Sequence, residues 1–332
     1  MSSNPADATR PLISLVVTGR NDGYGVRDRL LDTLRFNHRE LTARGIPYEY
    51  VLTEWAPDPE WPLLADLIAE TLPETQGLVT SYVVDPVYHE TLTMNPRVPY
   101  MDYLAKNVGI RRARGRFILA TNVDIYFGRR VLDVLESRAF MPQTVHRAVR
   151  CDLKLGFTPA DPTWDVLEDP GNLEAPPRPL KQPLLLGGSG DFVLLDRETF
   201  HELRGYNEVY RLARVGIDAN FLVKAYSAGL DFVDIGGPVY HVNHAGSYRL
   251  GRDAYKGREA DAPWGDRRWR YHGVMYDNPS AWGLRDAPLT NLGRGRWRLE
   301  FTWDAVPPLV DLKRVVLPVD PAGRPRPQRY KK

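Results

Sequence analysis

Two short segments, far apart in the chain, carry side chains suited to the same divalent metal ion. The first is an apolar run that ends in Asn122 and Asp124, and the second is an apolar run that ends in His241 and His244. Carboxylate and amide oxygens suit hard divalent ions, and imidazole nitrogens shift the preference towards Mn²⁺ or another first-row metal. Because a divalent ion at the end of a strand commonly neutralises a phosphate or activates a water molecule, these residues predict metal-assisted chemistry.

Composition limits the partners and the compartment. The 332 residues carry a net charge of +2, so no overall positive field favours nucleic acid as a partner. The single cysteine, Cys151, excludes an intramolecular disulfide and a cysteine-based zinc site, and it fits a reducing compartment. Residues 1–10 contain no apolar signal segment, and no apolar run reaches the roughly 20 residues that span a bilayer. We therefore expect a soluble, cytoplasmic protein.

The first half of the sequence alternates between strand and helix patterns. The predicted strands are 13–17, 48–52, 78–84 and 117–120. One predicted helix follows Gly25, a second covers 61–72 and a third opens at Pro99. Alternation of this kind predicts a parallel sheet, and ligands then collect at the carboxyl ends of its strands. Asn122 and Asp124 lie at such an end.

The second half is less regular. A proline-rich stretch, 157–182, interrupts every periodicity and predicts a long loop that is either a functional lid or disordered. Regular patterns then return, with glycines feeding a buried strand up to residue 195, helices near 197–203 and 219–228, and short strands at 232–235 and 239–242. Periodicity is weak beyond residue 246, and 320–332 is a basic tail that we expect to be disordered.

The stretch Ala105-Lys-Asn107-Val-Gly109-Ile-Arg-Arg-Ala113-Arg-Gly115 carries a family resemblance, together with the two metal-type pairs. It resembles glycosyltransferases of the GT-A fold, family 2, and the second half of the chain is similar to β-1,4-galactosyltransferases. The resemblance covers roughly residues 12–247. It implies an α/β fold with a Rossmann-like mixed sheet, helices on both faces and a C-terminal extension. The implied divisions are a disordered N-terminus (1–10), a nucleotide-sugar-binding half (11–150), an acceptor-binding and catalytic half (151–248) and the extension (249–332).

The resemblance also implies a metal site. In that family an Asp-x-Asp motif and a later histidine bind Mn²⁺, which holds the diphosphate of a nucleotide-sugar, so Asp124, His241 and His244 would ligate Mn²⁺ or Mg²⁺. Asn122 stands where the family has the first Asp; its amide can contact a ribose hydroxyl or a metal-bound water, with one negative charge fewer. A strand-end turn is the plain alternative for Asn122 and Asp124. Because side chains alternate along a strand, both histidines can ligate only if the strand ends between them.

A catalytic base and a set of donor contacts follow from the same resemblance. Asp218 matches the Asp of the family's Gly-Glu-Asp segment, with Ile217 in place of Glu, and would act as the general base; a helix N-cap is the alternative. Gly188 and Asp191 lie in a stretch that is similar to the family's Gly-Gly-x-Ser segment and would contact the donor sugar. The remaining residues implied to contact the nucleotide-sugar donor are Thr18, Arg20, Asn21, Asp22, Glu54 and Asn107.

These assignments predict a metal-dependent glycosyltransferase that moves a sugar, with inversion, from a nucleotide-diphosphate donor to a hydroxyl of a glycan or glycolipid. Two alternatives stay open: a sugar nucleotidyltransferase, and a non-catalytic protein that binds nucleotide-sugars or saccharides. Several aromatic residues either pack in a core or form a platform for a saccharide acceptor; they are Trp264, Trp269, Tyr271, Tyr276 and Trp282. The basic tail raises a further expectation, a peripheral contact with the inner face of a membrane.

Overall fold

The computed structural model describes residues 10–22, 25–94, 98, 100–188, 190–209, 211, 216–244 and 278–307. The expected disordered N-terminus, except residue 10, and the basic tail therefore lie outside the described residues. The same holds for four of the five candidate platform residues, namely Trp264, Trp269, Tyr271 and Tyr276.

The described residues form one ten-stranded mixed sheet and eight α-helices. The strands are β1 (Ile13–Gly19), β2 (Tyr48–Trp55), β3 (Val79–Val84), β4 (Phe117–Thr121), β5 (Ile125–Phe127), β6 (Thr144–Asp152), β7 (Phe192–Asp196), β8 (Asp231–His241), β9 (Leu289–Gly293) and β10 (Arg296–Leu299). The helices are α1 (Val26–Ala43), α2 (Leu64–Thr71), α3 (Pro86–Leu92), α4 (Asp102–Arg112), α5 (Arg129–Ser137), α6 (Trp164–Glu168), α7 (Arg197–Glu202) and α8 (Ile217–Ser227). The strand order is β5-β8-β6-β7-β4-β1-β2-β3-β10-β9.

The centre of the sheet is parallel and buried on both faces. Strand β1 pairs in parallel with β2 and β4, and all seven of its residues are buried, which explains its nearly continuous apolar run. Leu15 packs into a core with Leu30 of α1, whereas its neighbour Val16 packs into the opposite core with Ile110 of α4. Because successive side chains of a strand point to opposite faces, this division places helices on both faces of the sheet.

The sheet is mixed, not purely parallel. Strand β7 pairs antiparallel with β4, and β5 pairs antiparallel with β8. The two short strands predicted at 232–235 and 239–242 are a single strand, β8, whose pairing with β6 shifts register in the middle. Gly236 and Gly237 lie in that part of β8, where glycine commonly marks a bulge. These long-range pairings arise from partners that sequence periodicity does not identify.

The described part of the C-terminal extension belongs to the same sheet. Strand β10 pairs in parallel with β3, and β9 pairs antiparallel with β10. Arg112 of α4 holds the chain just before these strands by donating hydrogen bonds to the backbone carbonyls of Gly283 (2.7 Å) and Leu284 (2.8 Å). Trp282 is fully buried in the core beside α4. For this residue the prediction of core packing is confirmed, and the prediction of a saccharide platform is wrong.

The proline-rich stretch includes regular structure. It contains α6, and Leu167 of that helix is fully buried in a small core with Phe36 of α1. Its role as a lid stays a prediction. Among the helices of the described residues, none combines the length and the apolar character needed to traverse a lipid bilayer.

Candidate active site

Three strand ends bring the predicted metal residues together. Asp124 immediately precedes β5, whose first residue, Ile125, lies opposite His241 at the end of β8. On the other side of β8, His241 lies opposite Asp152, the last residue of β6. The backbone N–H of Val242 donates a hydrogen bond to the carbonyl of Asp124 at 2.9 Å. Register alone therefore places two carboxylates and an imidazole at one edge of the sheet.

Asp124, His241 and His244 form a compact cluster. The Nε2 atoms of His244 and His241 lie 3.1 Å and 3.4 Å from Oδ2 of Asp124, and one ligand atom from each residue lies within 4.8 Å of the other two. Strand β8 ends at His241, so the condition for both histidines to face one centre is met. These three residues form a candidate metal site.

The donor set fits a divalent first-row ion. Oδ1 of Asp124 is buried and accepts no hydrogen bond from the described residues. A buried carboxylate oxygen without a partner is costly unless a ligand satisfies it. One carboxylate and two imidazoles favour Mn²⁺ over Mg²⁺, because Mg²⁺ binds oxygen ligands almost exclusively.

The charges of the cluster are strongly coupled. Burial by itself would raise the pKa of Asp124, but the charges and hydrogen bonds of His241 and His244 lower that pKa well below its usual range. Burial conversely lowers the pKa of His241, but the charge of Asp124 and the hydrogen bonds to Asp124 and Asp152 together raise this pKa to about 9. Arg29 of α1 lies with Nε 3.9 Å from Oδ2 of Asp124. Without a metal ion, the proton of His241 and the positive charge of Arg29 balance the negative charge of Asp124.

His241 also contacts a second charged pair. Its Nδ1 atom lies 2.9 Å from Oδ1 of Asp152 and 2.9 Å from Nη2 of Arg150. Burial would raise the pKa of Asp152, but the hydrogen bond from His241 and the charge of Arg150 lower it to about 2. When Nδ1 carries the proton and donates to Asp152, Nε2 presents its lone pair to the cluster, which is the usual arrangement of a metal-binding histidine.

Asn122 directly follows β4 and contacts the glycine-rich turn, which we define as Gly187, Gly188, Gly190 and Asp191. Its Oδ1 accepts a hydrogen bond from Lys106 at 2.8 Å, and its Nδ2 donates to Oδ1 of Asp191 at 2.6 Å. Lys106 also donates to the carbonyl of Gly190 at 2.9 Å. The amide of Asn122 is therefore engaged by the protein on both sides, and it does not point into the metal cluster as a ligand would.

Gly188 and Asp191 are packed tightly against Arg150. Gly188 has a φ of +52°, and a Cβ atom there would lie 2.6 Å from Cβ of Arg150, so no other residue fits without displacement. Oδ2 of Asp191 accepts a hydrogen bond from Arg150 at 2.9 Å, and its carbonyl accepts one from Thr121 at 2.7 Å. Hydrogen bonds from Arg150 and Thr121 therefore fix the position of the turn.

Asp218 lies beside the same turn. A Cβ atom built on Gly190 would lie 3.9 Å from Oδ2 of Asp218 and 4.0 Å from Nδ2 of Asn122. Gly216 occupies the N-cap position of α8, so Asp218 lies within the first turn and the N-cap alternative does not hold. Burial raises the pKa of Asp218, although the charges of Arg147 and Lys106 oppose that rise.

The predicted donor residues at the end of β1 and in the turn after it differ in their exposure and in their contacts. Thr18 donates to Oδ1 of Asp102 at 2.6 Å, while Arg20 and Asp22 pair at 3.5 Å and are partly exposed. Burial raises the pKa of Asp22. Asn21 is fully buried, and its amide nitrogen donates to three carbonyls of the loop before α2, including that of Asp58 at 2.9 Å. Asn21 therefore holds this loop, and its donor contact stays a prediction.

Glu54 and Asn107 also have structural roles, and their donor contacts stay predictions. Glu54 is fully buried and accepts hydrogen bonds from the backbone N–H groups of Leu64 (2.6 Å) and Ala65 (3.2 Å), which cap the start of α2. Asn107 is fully buried, donates to the carbonyl of Tyr206 and accepts from its N–H, both at 2.8 Å. In each case the polar side chain satisfies buried backbone groups.

Sequence reasoning missed Arg29, Lys106, Arg150 and Asp152. Lys106 and Arg150 lie in a helix and a strand, where the sequence gives no sign that a charged side chain points inward. Asp152 carries a weak signal, because it ends a strand at the edge where ligands collect.

Comparison with solved structures adds a distant similarity. The sequence matches no protein-family model and no curated protein. Among solved structures, the chain is similar to the crystal structure of GalNAc-T7 with UDP, GalNAc and Mn²⁺, at 14% sequence identity and a TM-score of 0.44. The similarity covers 72% of this chain and 44% of that one, so the chain spans less than half the length of that protein. The predicted Rossmann-like mixed sheet with helices on both faces is confirmed by the strand order and the two cores.

Proposed function

We propose that this protein is a metal-dependent glycosyltransferase of the GT-A type that transfers a sugar from a nucleotide-diphosphate donor to a hydroxyl acceptor. The observation that carries the proposal is the cluster of Asp124, His241 and His244, with its unpartnered buried oxygen, at the carboxyl edge of the sheet. Asp218 lies next to the glycine-rich turn, and Asn122, two residues before Asp124, donates a hydrogen bond to Asp191 of that turn. A metal site and a separate carboxylate are the two parts that this reaction requires.

The residues of the cluster would hold Mn²⁺, which when bound supplies positive charge to a departing diphosphate. Asp124 provides the negative charge, and the two histidines provide neutral nitrogen ligands once His241 has given up its proton. Arg29 lies beside the same carboxylate and adds a fixed positive charge for the phosphate side of the donor.

The remaining donor contacts would come from two turns. Thr18, Arg20 and Asp22 lie at the carboxyl end of β1, where the nucleoside would bind. Gly188 and Asp191 would contact the sugar, because this turn is fixed close to both Asn122 and Asp218.

Asp218 would act as the general base. Its carboxylate would accept the proton of the acceptor hydroxyl while that oxygen attacks the anomeric carbon and the bond to the diphosphate breaks, which inverts the configuration. Burial makes Asp218 a stronger base than an exposed aspartate, because it raises the pKa of the carboxyl group. The acceptor would be a glycan or a glycolipid.

The test is a panel of UDP-, GDP- and dTDP-sugars with Mn²⁺, in which release of the nucleoside diphosphate is measured with and without saccharide acceptors. Asp218→Asn is expected to keep UDP affinity within about threefold and to lose about 10²–10⁴-fold in transfer rate. Asp231→Asn, an exposed carboxylate at the start of β8, is the control and should behave as the wild type.

Each other outcome has a defined meaning. Transfer that survives Asp218→Asn at the wild-type rate removes this residue as the base. Nucleotide-sugar binding without any turnover would identify a binding protein. Turnover of nucleoside triphosphates with sugar phosphates would identify a nucleotidyltransferase.

A further inference from the structure

The space beside Gly190 is lined by polar side chains. The three atoms nearest to a Cβ atom built on this residue are the hydroxyl oxygen of Tyr103 at 2.9 Å, Oδ2 of Asp218 at 3.9 Å and Nδ2 of Asn122 at 4.0 Å. These groups come from α4, from α8 and from the residue that follows β4. A phenol, a carboxylate and an amide therefore meet where Gly190 has no side chain.

The backbone does not explain the glycine at this position. Gly187 and Gly188 have φ values of +131° and +52°, which residues with a side chain rarely adopt, whereas the φ of Gly190 is not positive. An alanine would therefore suit the backbone at 190, but its methyl group would lie 2.9 Å from the hydroxyl of Tyr103. Gly190 thus keeps open a space that the backbone alone would allow a side chain to fill.

We propose that this space is a subsite for two neighbouring hydroxyl groups of the acceptor, and that Tyr103 recognises the hydroxyl beside the attacking one. The inference rests on the proposed function, because it takes Asp218 as the base. It adds the chemical class of the acceptor, a saccharide with a vicinal diol. The attacking hydroxyl gives its proton to Asp218 as its oxygen bonds to the anomeric carbon, and the neighbouring hydroxyl does not react.

The three groups offer the hydrogen-bond roles that a diol needs. The carboxylate of Asp218 accepts, the hydroxyl of Tyr103 both donates and accepts, and Nδ2 of Asn122 carries two N–H groups, one of which goes to Asp191 at 2.6 Å. Burial and the charge of Asp218 raise the pKa of Tyr103 well above its usual value, so the phenol keeps its proton at neutral pH. A hydrogen atom in place of the second hydroxyl would leave the phenol without a partner in the complex.

Tyr103 is held in place before any ligand binds. Its side chain is buried, and its ring packs against that of Tyr206 with the ring centroids 5.0 Å apart. Nζ of Lys106 lies 5.3 Å from the centroid of the Tyr103 ring. The same nitrogen donates hydrogen bonds to Oδ1 of Asn122 at 2.8 Å and to the carbonyl of Gly190 at 2.9 Å. One ammonium group therefore fixes three parts of the subsite relative to one another, which lowers the cost of ordering them on binding.

The experiment measures saccharide binding, which does not require turnover. The full chain, in the presence of Mn²⁺ and UDP, is titrated with the methyl glycopyranosides of glucose, galactose and mannose and with their monodeoxy forms. Affinities are measured by saturation-transfer difference NMR. In the wild type at least one glycoside should bind, and removal of either hydroxyl of the recognised pair should weaken its binding about tenfold.

Tyr103→Phe removes only the hydroxyl group. At one of the two positions it should reduce the difference between the glycoside and its deoxy form to below about twofold, because the partner of that hydroxyl is gone. Gly190→Ala fills the space with a methyl group and should weaken binding of the intact glycoside about tenfold or more. Tyr48→Phe is the matched control and should keep the tenfold difference, because Tyr48 lies at the amino end of β2 with its hydroxyl 2.7 Å from Nδ1 of His38.

Three results overturn the inference: a wild type that binds none of the glycosides, a wild type that binds every glycoside and its deoxy forms equally, and a Tyr103→Phe protein that keeps the tenfold difference at each position. If Gly190→Ala does not fold, the double variant Gly190→Ala/Tyr103→Phe replaces it, since it lacks the oxygen nearest to the new methyl group. A double variant that binds the glycoside as tightly as Tyr103→Phe also overturns the inference.

Failure of the enzyme and failure of the subsite give different results. Selective binding of a diol without any sugar transfer contradicts the proposed enzyme but not the subsite. Transfer at equal rates to acceptors with and without a hydroxyl beside the reacting one contradicts the subsite but not the enzyme.

Discussion

The stability of the metal-free protein should fall as the pH rises from 6.5 to 9, because of His241. Burial lowers the pKa of this buried imidazole, but Asp124 and the hydrogen bonds raise it from 6.5 to about 9. A group that binds its proton more tightly in the folded state stabilises the fold fully below pH 6.5 and loses that effect as the pH rises through 9. The change in pKa corresponds to a stabilisation on the order of 3 kcal/mol.

Three other histidines and the single cysteine have altered pKa values that act mainly outside this window. Burial lowers the pKa of His89, His146 and His201, so their effect on stability changes only as the pH falls below 6.5. Burial raises the pKa of Cys151 from 9.0 to about 11, so its contribution is lost only above pH 9. The range from pH 6.5 to 9 is therefore well placed to report on His241.

The assay is urea denaturation in EDTA at pH 6.5 and at pH 9, for the wild type and for His241→Gln. The wild type should lose about 3 kcal/mol more than the variant between the two pH values. Equal losses in the two proteins would refute the assignment of a raised pKa to His241.

Replacing EDTA with Mn²⁺ in this experiment is expected to reverse the trend. A metal ion binds the deprotonated imidazole, so the stability gained on adding Mn²⁺ should grow from pH 6.5 to pH 9 in the wild type. A gain that stays constant or shrinks over this range would argue against His241 as a ligand.

Two further predictions concern packing, and both are measured by urea denaturation. Gly188→Ala should lower the free energy of unfolding by at least about 1 kcal/mol more than Gly229→Ala does. Both glycines have positive φ, but only Gly188 lies against Arg150, while Gly229 faces open space. Equal losses of stability would show that the turn can move away from Arg150. Arg112→Ala should lower the free energy of unfolding by about 3 kcal/mol, because two backbone carbonyls of the extension lose a charged hydrogen-bond donor. Arg285 is exposed, so Arg285→Ala should cause no measurable change. Similar stabilities of the two variants would refute the anchoring role of Arg112.

The central elements could be predicted from the sequence because burial imposes a pattern on them. Strand β1 is buried on both faces and reads as a continuous apolar run, and α1 shows an apolar stripe because only one face meets the sheet. Strands β9 and β10 could not be predicted in this way. Strand β9 is at the edge of the sheet with mostly exposed side chains, and in β10 only Leu299 is buried, so their pairing comes from backbone hydrogen bonds that leave no clear apolar pattern.

The site was predictable where residue type alone indicates chemistry. Asp124 and the two histidines are metal-binding types at strand ends, and the structure brings them together. Position near a strand end does not reveal the structural roles of Asn21 and Glu54, because a polar side chain there can turn inward and hold the neighbouring loop. That choice depends on which backbone groups the loop leaves without partners, which periodicity does not reveal.

The asparagine at position 122 follows from its neighbours. Its Nδ2 lies 2.6 Å from Oδ1 of Asp191, so an aspartate at 122 would place two carboxylate oxygens at a distance that only a shared proton could sustain. The neutral amide instead donates to Asp191 and accepts from Lys106. The amide therefore leaves Asp191 available to Arg150, and the charge of the metal cluster is then set by Asp124 and, through His241, by Asp152. Asn122 belongs with the glycine-rich turn, and the missing carboxylate at 122 is a consequence of how that turn is held.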